Sequence, residues 1–512
     1  MLEDIIQERK KKLENFIKTG VEPYPEKAKR THKISEALIN FSSLLKLRKK
    51  IFICGRIFGM RVMGNIVFYD IRDDSGNPAG SRQGGAYGAR IQGVLKADAL
   101  VGSPTQRRGK DNLKKEFALF KENLDIGDFI EVGGVLFETK TGEKSVEIKN
   151  LRLLAKSLRP LPSQWHGLED IETRLRKRYL DILMSPETKE IFFKKNVFWQ
   201  TFRECLRKEG FLELETPVLE ATPGGADAEP FMTHHNALGQ NFYLRISLEI
   251  ALKKLLVAGY EKIFEIGRIF RNEGISPEHL QDYTQLEFYW AYENQETLMK
   301  FVEKTYKEVI KNTCGKLETK WQGARKINWS KKWQKIDYSQ IFKEKIGLDF
   351  NKAGRDELFR KAKEAGLKPE AGLGKGRLID LLFKKIIRPT LIQPVFLVNQ
   401  PVEIEPLAKR QEKNKNLVCR FQVVACGTEL GKGFSEANDP IDQRQRFEEQ
   451  MALREGGDKE AQRLDENFLE ALEYGMPPAA GFGLGIDRLV ALLTNSHSLR
   501  EVILFPTMKP RD

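Results

Sequence analysis

The segment from Glu261 to Tyr292 constrains the fold of this chain more than any other stretch. It contains two apolar, β-rich runs, Ile263 to Phe270 and Leu286 to Tyr292, with a long charged loop between them. Side chains alternate between the faces of a strand, so Glu287 and Tyr289 share one face. A buried carboxylate needs a partner. The pattern therefore predicts either a salt-bridged hairpin or a strand pair that binds a charged ligand.

The composition indicates a soluble globular protein of two or three domains. The chain has 512 residues, of which 31% are charged and 40% hydrophobic. Its net charge of +14 predicts either simple solubility or a polyanionic partner such as nucleic acid. The five cysteines are scattered and never spaced C-x-x-C, which argues against a disulfide framework or a zinc site.

The N-terminus indicates a cytoplasmic location. Its first residues, MLEDIIQERK, carry acidic side chains and lack the apolar region of a secretory signal. No apolar run approaches the length of a transmembrane helix, so we expect no membrane partner.

The first third of the chain predicts a basic helical extension followed by a small barrel. Residues 1–50 hold an amphipathic helix whose basic face is either solvated or lies along RNA phosphates. Residues 51–158 contain about five short strands and one helical connection, typical of a Greek-key barrel of the oligonucleotide-binding type. Arg61 and Phe68 are candidates for gripping an unpaired base, although Phe68 could equally be a core residue. Residues 76–109 are predicted to form a mobile basic loop.

A linker rich in Pro and Arg, residues 159–184, separates the barrel from the remainder, residues 185–512. Ser185 and Pro186 begin a helix that is predicted to end at Gly210, and FLELETPVL follows as a strand ending near Pro217. Residues 222–235 are predicted to be a glycine-rich turn. Residues 295–390 are predicted to hold a helical insertion.

Two later stretches carry candidate chemistry. Residues 420–438 combine glycines with Glu429 and Glu436, which predicts a metal-nucleotide or ammonium site, or else a surface turn. In GFGLGIDRL, alternating glycines leave a strand bare for close approach of a ligand, and Arg488 follows in the first turn of a helix, where it suits a phosphate.

Three of these stretches resemble the motifs of class II aminoacyl-tRNA synthetases. The helix, strand and proline of residues 185–217 resemble motif 1, FRNEG with the strand after it resembles motif 2, and GFGLGIDRL resembles motif 3. Their order behind a barrel is similar to the subclass of aspartyl, asparaginyl and lysyl enzymes. GVEPYP, RYLDIL, THHNAL, FSEAND and REVILFPTMKP are similar to the lysyl branch. The resemblance implies an α+β fold, in which an oligonucleotide-binding barrel precedes an antiparallel-sheet catalytic domain that dimerises through motif 1.

The resemblance also implies an ATP-dependent ligase. L-lysine would be activated as lysyl-adenylate and passed to the 3′ end of tRNA(Lys), with Mg²⁺ accompanying ATP. Arg271 and Arg488 would be catalytic. The implied ATP-binding residues are Arg271, Glu273, His279, Tyr283, Glu429 and Arg488. The implied lysine-binding residues are Gly225, Glu249, Arg271, Glu287, Tyr289, Phe434 and Glu436. In this set Gly225 and Glu249 would hold the α-amino group, and Glu436 and Tyr289 the ε-ammonium. The implied anticodon-binding residues are Arg61, Phe68 and Glu143.

Three positions depart from the family pattern. Gln422 replaces a glutamate that helps to hold Mg²⁺, which leaves Glu429 as the implied metal ligand. Lys432 replaces an asparagine close to the cationic substrate, where it would either weaken lysine binding or pair with Glu429. Glu229 replaces an arginine near the nucleotide, a change that would alter ATP affinity.

Three other functions fit the sequence less well. Aspartate or asparagine as substrate would require a cationic or amide partner where this chain has Glu436. A catalytically silent RNA-binding protein would explain Gln422 and Lys432 but not the retention of Arg271 and Arg488. A protein-lysylating enzyme would lack the barrel.

Overall fold

The computed structural model describes residues 2–76, 88–98, 110–162, 168–274, 276, 279–323, 325–458 and 460–510, with side chains described from residue 113 onward in the helix that begins at Lys110. It divides into two compact units, residues 1–190 and 191–512. Most of the predicted basic loop at 76–109 lies outside the described residues. Among the described residues, no helix has both the length and the apolar character needed to cross a membrane.

The first unit is built around a closed five-stranded barrel. The strands follow the order β1-β2-β3-β5-β4 around the barrel. Its elements are α1 Leu2–Lys18, α2 Ile34–Ile39, α3 Phe41–Lys46, β1 Lys50–Met63, β2 Ile66–Arg72, β3 Arg90–Lys96, α4 Lys110–Asn123, β4 Phe129–Glu138, β5 Lys144–Ala155, α5 Ile171–Arg176 and α6 Arg178–Met184. The predicted barrel is therefore present, and helices α5 and α6 occupy much of the segment that the sequence marks as a linker.

The N-terminal helix α1 packs against this barrel unit. Phe16 lies 5.8 Å from the ring of Phe120 in α4, and both belong to one apolar core with the barrel strands. Arg9 is 8% exposed and donates to the carbonyl oxygens of Ile126 and Ser157. Lys12 contacts Asp125 at 2.8 Å. Because Arg9 and Lys12 are engaged within the protein, the basic face of α1 is in part structural.

The second unit contains an eight-stranded sheet, mostly antiparallel, in the order β14-β15-β16-β17-β18-β11-β10-β6. Its elements are α7 Pro186–Lys208, β6 Leu212–Glu213, β7 Leu219–Glu220, β8 Met232–His235, β9 Gln240–Leu244, α8 Glu249–Val257, β10 Lys262–Phe270, β11 Asp282–Ala291, α9 Gln295–Cys314, β12 Glu318–Trp321, β13 Arg325–Asn328, β14 Gln334–Asp337, α10 Tyr338–Ile346, α11 Arg355–Glu364, α12 Lys375–Leu382, β15 Val395–Val398, β16 Arg420–Ala425, β17 Thr428–Ser435, α13 Pro440–Glu455, α14 Glu466–Glu473, β18 Ala479–Gly485 and α15 Ile486–Thr494.

The two faces of this sheet have different roles. Phe288, Phe482 and Phe421 point to one face and share an apolar core with helices such as α9 and α15. Glu287 and Tyr289 alternate with Phe288 along β11, so they point to the opposite face. The helix α9 begins at its N-cap Asn294, whose side chain accepts from the backbone of Glu296 at 2.9 Å. The sheet therefore has one apolar face and one face that presents charged side chains.

The structure corrects several local predictions. FLELETPVL forms only the two-residue strand β6 and then β7 of a separate three-stranded sheet, because Pro217 between them cannot donate a ladder hydrogen bond. The predicted turn at 222–235 ends in strand β8. The predicted helical insertion also contains the strands β12–β14, and β14 joins the main sheet. The limits predicted for the domains remain predictions.

Candidate active site

The charged face of the sheet is organised around three neighbouring strands. In β11, β18 and β17 the paired residues form one row with Tyr289, Gly481 and Phe434 and a second row with Glu287, Gly483 and Lys432. A Cβ atom at Gly481 would lie 2.4 Å from Glu436 Oε1 and from the ring of Tyr289, so this position accepts only glycine. The middle strand is thus bare, and the charged side chains stand on either side of it.

A small pocket lies on this bare strand. Its lining contains six of the seven residues predicted to bind the amino acid, together with Ser247, Gln285, Lys432, Gly481, Phe482 and Gly483; the six are Gly225, Glu249, Arg271, Glu287, Tyr289 and Phe434. Gly225 has a φ of +81°, a conformation that favours glycine. The seventh predicted residue, Glu436, is fully buried behind this lining.

Glu287 is held by a set of donors. Ser247 donates to its Oε1 at 2.8 Å, and Tyr289 donates to its Oε2 at 2.9 Å. The side chain of Gln285 also donates to Oε1. Burial, and next the nearby charge of Glu249, raise the pKa of Glu287 to about 7. Since Tyr289 donates its proton to Glu287, its oxygen is left as an acceptor toward the pocket.

Lys253 is a residue of the site that the sequence reasoning missed. Its side chain is completely buried, and its Nζ lies 2.6 Å from Glu249 and 2.5 Å from Glu436 Oε2. Burial alone would lower the pKa of Lys253, but the two carboxylates raise it, so the ammonium remains charged. The spacing of Glu249 and Lys253, four residues apart on α8, was the available signal.

A cavity of about 680 Å³ adjoins the small pocket, with which it shares Arg271, Gln285, Lys432 and Gly483. It is lined by all the residues predicted to bind ATP, namely Arg271, Glu273, His279, Tyr283, Glu429 and Arg488. The guanidinium of Arg271 lies 5.6 Å from the centre of the Tyr283 ring. Cations that the sequence reasoning did not single out also line the cavity, among them Arg377, Lys384, Arg388 and Arg420.

Glu429 lies on strand β17, just after the turn at Cys426 and Gly427 that joins β16 to β17. Burial alone would raise the pKa of Glu429, but nearby cations, first Arg488 and then Arg420, lower it to about 2. The amide of Gln422 donates to Glu429 at 3.0 Å. The carboxylate therefore stays negatively charged at any physiological pH.

The predicted pairing of Lys432 with Glu429 is wrong. Lys432 Nζ instead lies 2.8 Å from Glu405 Oε2, a carboxylate that Arg420 also contacts at 3.1 Å. Glu229, the third unusual position, has an exposed side chain, and its carbonyl accepts from the backbone of Asn272 at 2.7 Å.

The barrel carries the remaining candidates. Arg61 and Phe68 are directly paired across β1 and β2, with the guanidinium 5.1 Å from the ring centre. The neighbours of Phe68 in the strand, Val67 and Tyr69, fill the barrel core, while Phe68 is only half-buried. Phe68 is therefore not a core residue. Glu143 forms an ion pair with Arg90 at 2.9 Å.

Two family models match these two parts of the chain. The OB-fold nucleic acid binding domain matches residues 51–154, and the class II tRNA synthetases (D, K and N) match residues 170–509. The barrel, the antiparallel sheet and the charged pocket thus define a class II tRNA synthetase.

Full-length relatives narrow the class further. The lysine–tRNA ligase of Carboxydothermus hydrogenoformans is 45% identical over 100% of this chain and 99% of its own length. The lysine–tRNA ligase of Moorella thermoacetica is 42% identical over 99% of this chain and 98% of its own, and that of Roseiflexus castenholzii is 41% identical over 100% of both. The chain belongs to this family, and the family predicted from the motifs is confirmed.

Proposed function

We propose that the protein attaches L-lysine to tRNA(Lys) in two steps. An oxygen of the lysine carboxylate attacks the α-phosphorus of ATP. The bond between this phosphorus and the oxygen that bridges to the β-phosphate breaks, and pyrophosphate leaves. A hydroxyl of the 3′ adenosine of tRNA then attacks the carbonyl carbon of lysyl-adenylate, and AMP leaves. Neither step needs a side-chain nucleophile, so positioning and charge stabilisation carry the catalysis.

The contacts of the buried Glu436 carboxylate are the observation that supports lysine as the substrate. One of its oxygens, Oε2, lies 2.5 Å from Lys253 Nζ, and the other, Oε1, faces the bare backbone at Gly481. In the part of the chain that the structure describes, neither oxygen of Glu436 accepts a hydrogen bond; Oε2 has the ion pair with Lys253, whereas no such contact is seen for Oε1. A buried acceptor without a partner costs about 1–3 kcal/mol. An ε-ammonium between Glu436 and Tyr289 would supply the missing donor.

The charges of the pocket support the same choice. Three carboxylates, Glu249, Glu287 and Glu436, cluster in or behind the small pocket, where Lys253 pairs with Glu249 and Glu436. The other two cations named above in its lining, Arg271 and Lys432, also line the larger cavity. Lysine carries two ammonium groups. An aspartate or asparagine side chain would leave one of these buried carboxylates uncompensated, so such a site rejects both strongly.

The nucleotide is proposed to occupy the larger cavity. Arg271 lines both spaces, so it can contact the lysine carboxylate and the α-phosphate together. Tyr283 offers an aromatic face to the adenine, and Arg488, at the start of α15, offers a guanidinium to the γ-phosphate. Glu273 and His279 complete the proposed contacts with adenine and phosphates.

We propose that Mg²⁺ enters with ATP. In the described ranges, no group of three or more His, Cys, Asp or Glu side chains could hold a metal ion. Glu429, kept ionised by its cationic neighbours, fits one ligand position, and Gln422 offers only an amide beside it. When bound, the ion would neutralise charge on the phosphates.

The barrel is proposed to bind the anticodon through Arg61, Phe68 and Glu143. The half-buried ring of Phe68 suits stacking of an unpaired base, and the exposed Arg61 beside it adds a positive charge. The chain is further proposed to work as a cytoplasmic homodimer joined through residues 185–217.

ATP–pyrophosphate exchange, measured with each standard amino acid, tests the reaction and the substrate together. We expect exchange with lysine alone, and charging of tRNA(Lys) when tRNA is added. Exchange with aspartate or asparagine instead would refute the role of Glu436. No exchange with any amino acid, by protein shown to be folded and dimeric, would favour the catalytically silent RNA-binding alternative.

A further inference from the structure

Lys432 is a cation at the junction of the two spaces in the active site. It lines both the small pocket and the larger cavity, as Arg271 does. Glu249, Glu287 and Tyr289 line only the small pocket. The positive charges of Arg271 and Lys432 therefore lie toward the nucleotide cavity, and the negative charges lie deeper.

The sheet sets where Lys432 stands relative to these acids. Gly483 pairs with Glu287 on one side and with Lys432 on the other. Neighbouring strands are about 4.8 Å apart, so roughly 10 Å separates the two backbones, with only glycine between them. A ligand that lies over Gly483 thus has a carboxylate on one side and an ammonium on the other.

Glu405 fixes the ammonium of Lys432 in this position. Glu405 is 2% exposed, and its Oε2 contacts both Lys432 Nζ at 2.8 Å and Arg420 Nε at 3.1 Å. Burial alone would lower the pKa of Lys432, but the charge of Glu405 raises it. The side chain therefore keeps its positive charge and is held away from the deeper acids.

We propose that Lys432, positioned by Glu405, binds the carboxylate of the amino-acid substrate beside Arg271. This inference rests on the proposed function. The attacking carboxylate and the α-phosphate are both negatively charged, so their approach is opposed by Coulomb repulsion. A second fixed cation at the junction offsets that repulsion and orients the carboxylate.

Binding of two ligands by the full-length protein tests this role. L-lysine carries the carboxylate, whereas 1,5-diaminopentane retains the two ammonium groups without it. In Lys432→Met we expect calorimetry to show lysine binding weakened about 10- to 100-fold, the usual range for loss of a charged hydrogen bond, and diaminopentane binding unchanged. Lys409→Met is the matched control, because Lys409 is exposed and its Nζ contacts Asn438 at 2.7 Å outside both spaces.

Three outcomes would overturn the proposal. Equal weakening of both ligands would indicate a structural role, and tighter binding of both would indicate that Lys432 repels the ammonium groups. Unchanged lysine binding would exclude the contact. If Lys432→Met does not fold, Lys432→Arg serves instead, since it keeps the charge and should keep the preference for lysine over diaminopentane; loss of that preference would count against the contact. Lysine-dependent exchange by the unaltered protein tests the proposed function separately.

Discussion

The barrel and the sheet present their candidate residues in opposite ways. On the barrel, Arg61 is exposed and Phe68 half-buried, and the guanidinium of Arg61 lies 5.1 Å from the centre of the Phe68 ring. At the sheet site, Glu287 and Tyr289 of β11 and Glu249 of α8 are each 3% exposed. Removing the partner of a buried charge leaves that charge uncompensated at a high cost in free energy, whereas breaking an exposed ion pair costs little. A single substitution at the sheet site should therefore cause a large loss of activity. A single substitution on the barrel surface should cause a smaller loss.

The largest expected effect is that of Arg271→Ala, which removes the cation shared by both spaces. Lysine-dependent ATP–pyrophosphate exchange should fall by at least about 10³-fold, as on loss of an arginine that stabilises a phosphoryl transition state. Binding of tRNA should persist, because the barrel is unchanged. Arg268→Ala is the control, since Arg268 pairs with Asp282 and lines neither space. Near-normal exchange by Arg271→Ala would refute its proposed role.

Phe68→Ala tests the exposed surface of the barrel. Loss of a stacking surface costs about 1–3 kcal/mol per base, so tRNA charging at limiting tRNA should fall roughly 10- to 100-fold. Exchange without tRNA should not change. Phe129→Ala is a matched control: Phe129 also lies on the barrel, is partly exposed, and has the guanidinium of Arg56 4.2 Å from its ring. Equal loss in both variants would indicate a general effect on the barrel.

The comparison also shows which features could be predicted from the sequence. The strands β10 and β11 follow the apolar, β-rich runs of the segment 261–292, and the structure contains both. On the barrel, the same alternation places Val67 and Tyr69 inside and Phe68 outside. An exposed surface formed by neighbouring residues of a hairpin is thus accessible to sequence reasoning.

The buried site was predictable only in part. The motif residues converge because they lie on paired strands, and the glycines of β18 marked the bare surface. The contacts of Lys253 with Glu436 and of Lys432 with Glu405 join residues far apart in sequence. No local period encodes such pairs, and Lys432 could have paired with any nearby acid. The sequence thus indicated which charges are present, and the fold decided how they combine.

The pKa of Glu287 predicts how lysine binding at the sheet site depends on pH. Its pKa of about 7 means that the carboxyl is neutral below that pH and charged above it. The lysine ε-ammonium remains protonated throughout, so the KM for lysine should rise about 10-fold between pH 8 and pH 6 as the carboxylate is lost. Glu287→Gln should bind lysine weakly at both values, with this dependence removed. An unchanged pH profile in that variant would assign the titration to another group.

The smallest expected effect concerns Gln422, at the edge of the charged site. Gln422→Glu would place a second carboxylate beside Glu429, which is already ionised. Without Mg²⁺ the added charge repels the phosphates, and with Mg²⁺ it adds an oxygen ligand of the kind this ion prefers. We expect exchange to decline about 3-fold at low free Mg²⁺, by roughly 0.7 kcal/mol, and to recover fully at high Mg²⁺. A Mg²⁺ titration that superimposes on that of the unaltered protein would mean that residue 422 does not contact the ion, and Glu429 would remain the sole proposed ligand.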